Sequence, residues 1–277
     1  DLYELEDIIF ISLEFDRILD LNKFKSKKLF NIHFSSLPAY KGVFTSALPI
    51  INSEKNSGVT LHKIDQGIDT GNIVDKIEFK LECNETAFSL YMKYNANAFT
   101  LFKKNIDNLI REDYSSKEQS AIGASYYSKR VINYSNVEID LNRTAYEINK
   151  QIRAFNFRPY QLPKIYGKPI SHSKITKDKS ISKPGTIINE YQNSITIATI
   201  DYDLILYEDC FDNIIRDVEN DYFKSLQRLK VEGYNFIEKT SNGWDLGIIA
   251  AYNGSWNALR FLIEEESSLS SKNVNGT

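Results

Sequence analysis

At 277 residues, with 42% hydrophobic and 26% charged side chains, the chain is long enough for two or three modest domains, and wholesale disorder is excluded. Its net charge is −3, with 15 Lys and Arg against 18 Asp and Glu in residues 1–120 and 19 against 19 beyond, so neither half carries the basic footprint of a nucleic-acid binder. Cys83 and Cys210 stand alone, no apolar run reaches the roughly 18 residues of a membrane helix, and no signal-peptide pattern opens the chain; the expected address is the reducing cytoplasm.

The chain begins at Asp1 and stops at Thr277 inside an unfinished repeat, so it reads as a fragment cut at both ends. Residues 7–12 form a short apolar run, expected as a buried strand. Further strands are expected at 29–34, at the alternating stretch 58–64, and at 73–81, with a short helix over 44–51 despite Pro49. The strongest helix spans 84–111, opened by Asn84 and Thr86 and carrying Leu90, Tyr94, Ala98, Leu101 and Leu109 along one face. Strands alternating with helical segments define an α/β unit, too small a sheet for a binding enzyme unless strands ahead of Asp7 are missing.

Polar residues from 111 to 124 place a boundary near 120, giving a partial first domain over 1–120. Thr144-x-x-Glu147 is a capping box that opens a helix with Ala145, Ile148, Ile152 and Phe155 inward, ending at Arg158-Pro159. Short β-like runs at 162–166, 186–188, 194–199 and 203–207 make 121–215 a small β-rich domain, with His172 in a polar loop. From Asp217 the pattern turns helical. Asn242-Gly243 recurs as Asn275-Gly276, and Leu226 and Leu229 recur as Leu259 and Leu262, both at a spacing of 33. That period resembles the ankyrin repeat, although Trp244-Asp245-Leu246-Gly247 stands where that family has Thr-Pro-Leu-His; a plain helical hairpin is the alternative for 216–277.

The chemistry concentrates between residues 31 and 71. An amide and an imidazole lie two apart on a strand, Asn31 and His33, so both project to one face, and Asp69 precedes Thr70-Gly71. A hydrogen-bond donor, a proton shuttle near neutrality and an acid that orients the imidazole or relays protons suit attack on a carbonyl. Each piece alone is weak, since an Asp before Thr-Gly is commonly a turn former. A metal triad of His33, His62 and Asp69 is the rival, but no compact ligand pair accompanies it; no metal is expected, and His62 is expected to pack structurally on its strand.

Together the positions are specific: Asn31-x-His33-x-Ser35-x-Leu37-Pro38, Gly42, Pro49-Ile50, Gly58-Val59-Thr60-x-His62, and Asp65-x-Gly67-x-Asp69-Thr70-Gly71. This set resembles the 10-formyltetrahydrofolate-dependent formyltransferase family, closely over residues 5–115 and more loosely to Gly185. The resemblance implies a Rossmann-like formyltransferase domain whose N-terminal strands are absent here. It implies Asn31, His33 and Asp69 as the catalytic trio and 10-formyltetrahydrofolate as formyl donor. A donor pocket would be built from Phe15, Arg17, Ile18 and Leu19 together with Gln66, Gly67 and Ile68.

The acceptor amine divides that family. The charge balance disfavours a methionyl-tRNA formyltransferase, and residues 121–277 exceed what the single-domain purine enzyme needs. The segment 152–163 looks like the hinge of the sugar nucleotide N-formyltransferases. In it Arg153, Phe155, Asn156, Arg158 and Tyr160 would meet a diphosphate and a stacked base, unless the aromatics only seal the core between domains. Tyr40 and Lys41 would meet the sugar or phosphates. The expected substrate is a dTDP- or UDP-linked amino-deoxysugar destined for O-antigen, handled by a homodimer. The ankyrin-like tail is expected to bind protein or to stabilise the dimer, and Trp244 or Trp256 could stack on a base as an accessory nucleotide site. A non-catalytic ankyrin-type binding module with a relic active site is the competing reading.

Overall fold

The computed structural model describes residues 2–274 except 16, 159, 192, 235, 237, 241 and 242. Pro159 and the repeated Asn242, Asn275 and Gly276 therefore lie outside the described residues. The chain divides into two compact units, Asp1–Asn136 and Val137–Thr277. Residues 121–136, expected beyond the first boundary, group with the first unit.

The first unit holds β1 (Phe10–Leu13), β2 (Leu29–His33), β3 (Lys41–Gly42), α1 (Leu48–Ile51), β4 (Asn56–Lys63), β5 (Ile73–Lys80), α2 (Ala87–Ile110) and β6 (Tyr126–Tyr127). Four strands form a mixed sheet in the order β1-β2-β4-β5, parallel between β1 and β2 and antiparallel thereafter. Helix α2 starts where Thr86 accepts from the Ser89 backbone N–H while the Ser89 hydroxyl accepts from that of Thr86, a reciprocal cap. It buries Leu90, Tyr94, Ala98, Leu101 and Leu109 and lies over β4 and β5. Tyr94 stacks on Phe34, and its hydroxyl lies 2.6 Å from Ser57 Oγ and 2.9 Å from the Thr45 carbonyl, so a buried polar group is satisfied. The helix expected over 44–51 contracts to α1, a single turn begun by Pro49 in its first positions. The pair β3–β6 was invisible in the sequence because two residues are too few to show a period.

The second unit opens with α3 (Ala145–Phe155), capped by the Thr144–Glu147 box as expected. A five-stranded antiparallel sheet follows, built from β7 (Lys164–Ile165), β8 (Lys168–Lys179), β9 (Ile187–Tyr191), β10 (Ser194–Ile197) and β11 (Tyr202–Glu208) in the order β7-β8-β11-β10-β9. Ile148 and Ile152 of α3 pack with Ile170, Ile195, Ile197, Leu204 and Leu206. Strand β8 corrects the expected polar loop around His172: the sequence KPISHSKITKDK hid it because half its residues face water. Four helices close the chain, α4 (Phe211–Glu219), α5 (Phe223–Glu232), α6 (Leu246–Asn253) and α7 (Trp256–Val274), beginning slightly before the expected residue 216. Their core gathers Phe211, Ile214, Leu226, Ile249 and Leu262. Gly233 and Gly254 end α5 and α6 in the left-handed conformation that glycine adopts freely.

Candidate active site

Strand β2 carries Asn31 and His33 on one face, and the antiparallel register of β4 sets His62 opposite Asn31 and Thr60 opposite His33. Directly opposed residues share a face, so four polar side chains converge at this end of the sheet. Thr60 fixes the chain leaving β2: its hydroxyl donates to the Ser35 carbonyl at 2.7 Å and accepts from Leu37 N–H at 3.1 Å. The connection from β4 to β5 then brings Asp69 to the cluster in a left-handed backbone conformation, φ 53°. Asp65 braces that loop, its Oδ1 accepting from Gly67 N–H at 3.0 Å and from the Thr70 hydroxyl at 2.6 Å. Gly71 presses so closely on the Lys63 carbonyl that a Cβ would lie 1.8 Å from its oxygen.

The hydrogen bonds fix who carries which proton. His33 Nε2 lies 2.8 Å from the Tyr40 carbonyl, which only accepts, so Nε2 bears hydrogen and Nδ1 faces Asp69 Oδ2 at 3.5 Å. By the same logic His62 Nδ1 donates to the Lys63 carbonyl at 2.8 Å, leaving Nε2 to accept from Asn31 Nδ2 at 3.2 Å. Asn31 Nδ2 also donates to Asp69 Oδ1 at 3.2 Å, while Gly42 N–H donates to Oδ2 at 2.9 Å. Burial pushes the Asp69 carboxyl up, but the nearby His62 and His33 rings and the Gly42 N–H outweigh it and bring its pKa down to about 2. Burial holds the His33 imidazole below its ordinary value, against the opposing pull of Asp69 and the Tyr40 carbonyl. The site thus presents a permanent carboxylate beside a base that is neutral at physiological pH.

A cavity of about 410 Å³ opens beside the cluster, lined by Lys41, Ile68, Thr70, Ala124, Ser125 and Tyr126. Ile68 and Thr70 flank Asp69, and Lys41 precedes the Gly42 amide that binds it. Among the described residues no group of three or more His, Cys, Asp or Glu is arranged to hold a metal ion, and no helix is long and apolar enough to cross a membrane.

The structure brings Asn31, His33 and Asp69 together and adds His62, which the sequence reading had left as structural packing. The alternation of Thr60 and His62, matching that of Asn31 and His33, was the available signal. Gln66, Gly67 and Ile68 lie on the exposed loop leading into Asp69. Phe15, Arg17 and Ile18 follow β1 in an irregular, exposed segment, Ile18 at 86%, with Leu19 half-buried. Tyr40 is buried, donating to Glu54 at 2.7 Å and stacking on Tyr127; its carbonyl, rather than its ring, serves the site.

Within the second unit, Phe155 and Asn156 are buried, Asn156 donating to the Ser171 carbonyl at 2.7 Å, and Arg153 donates to Asn149. Arg158 forms ion pairs with Asp209 and Glu238 over the Phe211 ring, so this guanidinium faces inward to the join between strand and helices. Tyr160 is 83% exposed. Trp244 packs on Tyr252 and Trp256 is 73% exposed, both on the helical tail. His172 is sandwiched by Tyr207 and edged by Tyr234, and burial pushes its pKa down to about 4, a neutral core histidine.

A donor, a base and a carboxylate within hydrogen-bonding reach of one another suit addition to a carbonyl group with proton transfer. Comparison with known proteins places that chemistry. Residues 13–105 match the family described as formyl transferase, and residues 131–209 match formyl transferase, C-terminal domain. Methionyl-tRNA formyltransferase of Clostridioides difficile (strain 630) is 32% identical over 221 residues, 78% of this chain and 71% of the relative. The crystal structure of an N-formyltransferase from Helicobacter canadensis in complex with folinic acid and dTDP-3-aminofucose is 48% identical, covers 75% of this chain and 76% of its own, and superposes with a TM-score of 0.67. WlaRD, a sugar 3N-formyl transferase crystallised with dTDP and 5-N-formyl-THF, is 46% identical over 75% of this chain and 74% of its own, with a TM-score of 0.66. The chain belongs to the formyl transferase family: a mixed α/β catalytic domain followed by a β-rich C-terminal domain.

Proposed function

We propose that this enzyme transfers a formyl group from 10-formyltetrahydrofolate to the amine of a nucleotide-linked amino-deoxysugar. The observation that carries the reading is the convergence of Asn31, His33 and Asp69 beside a cavity whose one cation is Lys41. Identity near one half to two sugar N-formyltransferases, against 32% to a methionyl-tRNA enzyme, supports the sugar acceptor. So does a second half with 19 basic against 19 acidic residues, which offers no surplus charge for tRNA.

The donor supplies an electrophilic formyl carbon, and the roles of the chain's own groups follow from their geometry. Asn31 spends both amide hydrogens internally, on Asp69 and His62, so a formyl oxygen gaining charge takes over one of them. Losing such a donor costs about 3–4 kcal/mol of transition-state stabilisation. His33 receives the proton of the attacking amine at Nδ1, because Nε2 is occupied by the Tyr40 carbonyl, and returns it to the folate nitrogen as that nitrogen's bond to the formyl carbon breaks. Asp69, ionised throughout, stabilises the imidazolium so formed. Gln66, Gly67 and Ile68, with Phe15, Arg17, Ile18 and Leu19, remain the proposed donor contacts, and Lys41 is proposed to meet the nucleotide sugar.

The finer reading extends to a cytoplasmic homodimer making a formylated sugar for O-antigen. In the tail, α4 packs on α5 and α6 on α7, and α4 and α5 meet α6 and α7 in turn, as stacked helix pairs do in ankyrin arrays. That supports an ankyrin-like extension as an interaction element, with the exposed Trp256 offered to a partner or nucleotide. The test is turnover with 10-formyltetrahydrofolate and a panel of dTDP- and UDP-amino sugars, with His33→Ala as control. Formylation of one nucleotide sugar, abolished by His33→Ala, is expected. Activity on methionyl-tRNA with none on any sugar would overturn the acceptor, and turnover untouched by His33→Ala would overturn the mechanism.

A further inference from the structure

Residues 117–127, most of which fall in the polar break at 111–124, hold the Asp69 loop and the Tyr40–Lys41 segment. Lys117 exchanges two backbone hydrogen bonds with Ile73, each 2.8 Å, and so sets the segment in register beside the Asp69 loop. Two residues on, Gln119 Nε2 donates to the carbonyls of Asp69 and Gly71, both at 2.8 Å. At its far end Ser125 accepts from Tyr40 N–H at its hydroxyl, 2.8 Å, and from Lys41 N–H at its carbonyl, 2.9 Å. Tyr40 is the residue whose carbonyl accepts a hydrogen bond from His33 Nε2. One short segment therefore braces the partner of each His33 nitrogen.

Gln119 is the point where this bracing bears on chemistry. Both of its partners are carbonyl oxygens, which only accept, so the amide must present its NH2 and not its oxygen. Its buried Oε1 has no hydrogen-bond partner among the described residues, so the two donated bonds are the side chain's contribution. Those bonds straddle Thr70 and pin the backbone of Asp69 in the left-handed region, which few non-glycine residues hold unaided. The Asp69 carboxylate sits 3.5 Å from His33 Nδ1, so a small rotation of the loop changes their separation directly.

We propose that Gln119 is a positioning residue for formyl transfer, its amide clamping the loop that presents Asp69 to His33. The proposal rests on the formyl-transfer reading for its kinetic consequence but not for its structural one. A misplacement of about 1 Å in such a constellation costs up to about 100-fold in rate. Gln119→Leu, which keeps the bulk and removes both donors, is expected to lower kcat 10- to 100-fold while KM for donor and acceptor stays within about threefold. The second readout needs no substrate: the titration midpoint of His33, followed by NMR of the full chain and assigned with His33→Asn. Asp69 and His62 are the charged and titratable groups acting on His33, Asp69 raising and His62 lowering its proton affinity. Loosening Asp69 therefore moves the midpoint down.

Wild-type kcat in Gln119→Leu, or a lowered kcat with an unmoved His33 midpoint, would overturn the proposal. Should Gln119→Leu not fold, Gln119→Met, which also removes both donors without adding a charge, carries both measurements with the same expectations. Absence of turnover in the wild type would instead count against formyl transfer, and the His33 titration would still decide the clamp.

Discussion

Replacing Asp69 with Asn removes one charge from the site and sets an NH2 where Oδ1 accepts from Asn31 Nδ2. The amide keeps the shape, and its oxygen can still accept from Gly42 N–H, which lies 2.9 Å from Oδ2 in the wild type. What disappears is the attraction between the carboxylate and a protonated His33, whose Nδ1 lies 3.5 Å from Oδ2. At an effective dielectric near 20 two unit charges at that distance interact by about 5 kcal/mol. Only part of it is realised while the proton is in transit, so kcat should fall by about two to three orders of magnitude, at 1.36 kcal/mol per decade. The pH profile gives the sharper test. His33 acts as a base only when neutral, so activity falls as pH drops through its pKa. Burial and His62 lower that pKa, while Asp69 and the Tyr40 carbonyl raise it; without Asp69 the larger of the raising influences is gone and the acid limb moves to lower pH. A steady-state profile of kcat/KM from about pH 5 to 9 should therefore show a slower enzyme that stays on its plateau further into acid. An Asp69→Asn variant within threefold of wild type, or one with an unmoved acid limb, would refute this account of the trio.

Arg158→Met tests whether that guanidinium serves the substrate or the fold. It leaves Asp209 and Glu238 without their partner, so a loss of about 3–5 kcal/mol in unfolding free energy is expected by denaturant titration; a rise in the nucleotide-sugar KM at unchanged stability would contradict the structural role. Gly71→Ala must push a methyl group against the Lys63 carbonyl, 1.8 Å from the ideal Cβ, so the loop has to move and carry Asp69 with it. A cost of about 1–3 kcal/mol in stability together with a kcat loss is expected, and an unaltered melting temperature and kcat would show that the loop yields freely.

Local rules carried much of the fold. The capping residue Thr86 and the Thr144–Glu147 box mark the starts of α2 and α3, and the 3.6-residue spacing from Leu90 to Leu109 selects the buried face of α2. Period-two alternation put Asn31 and His33 on one face before any partner strand was known. The tail showed its helices, but their packing into pairs depended on which faces met.

Contacts between distant segments were another matter. His62 enters the site because antiparallel register sets it opposite Asn31, and register depends on how the whole sheet pairs. Gln119 lies in a stretch with no periodicity, and only the pairing of Lys117 with Ile73 carries it to Asp69. Arg158 has the composition of a phosphate ligand, yet the fold turns it toward Asp209 and Glu238. By itself the sequence determined most of the helices and strands and the face that Asn31 and His33 share, because helices, caps and strand faces are set by neighbours a few residues away. The tertiary structure alone decided which loops hold those groups in place and which charges are spent inside, because those choices follow from residues brought together across dozens of positions.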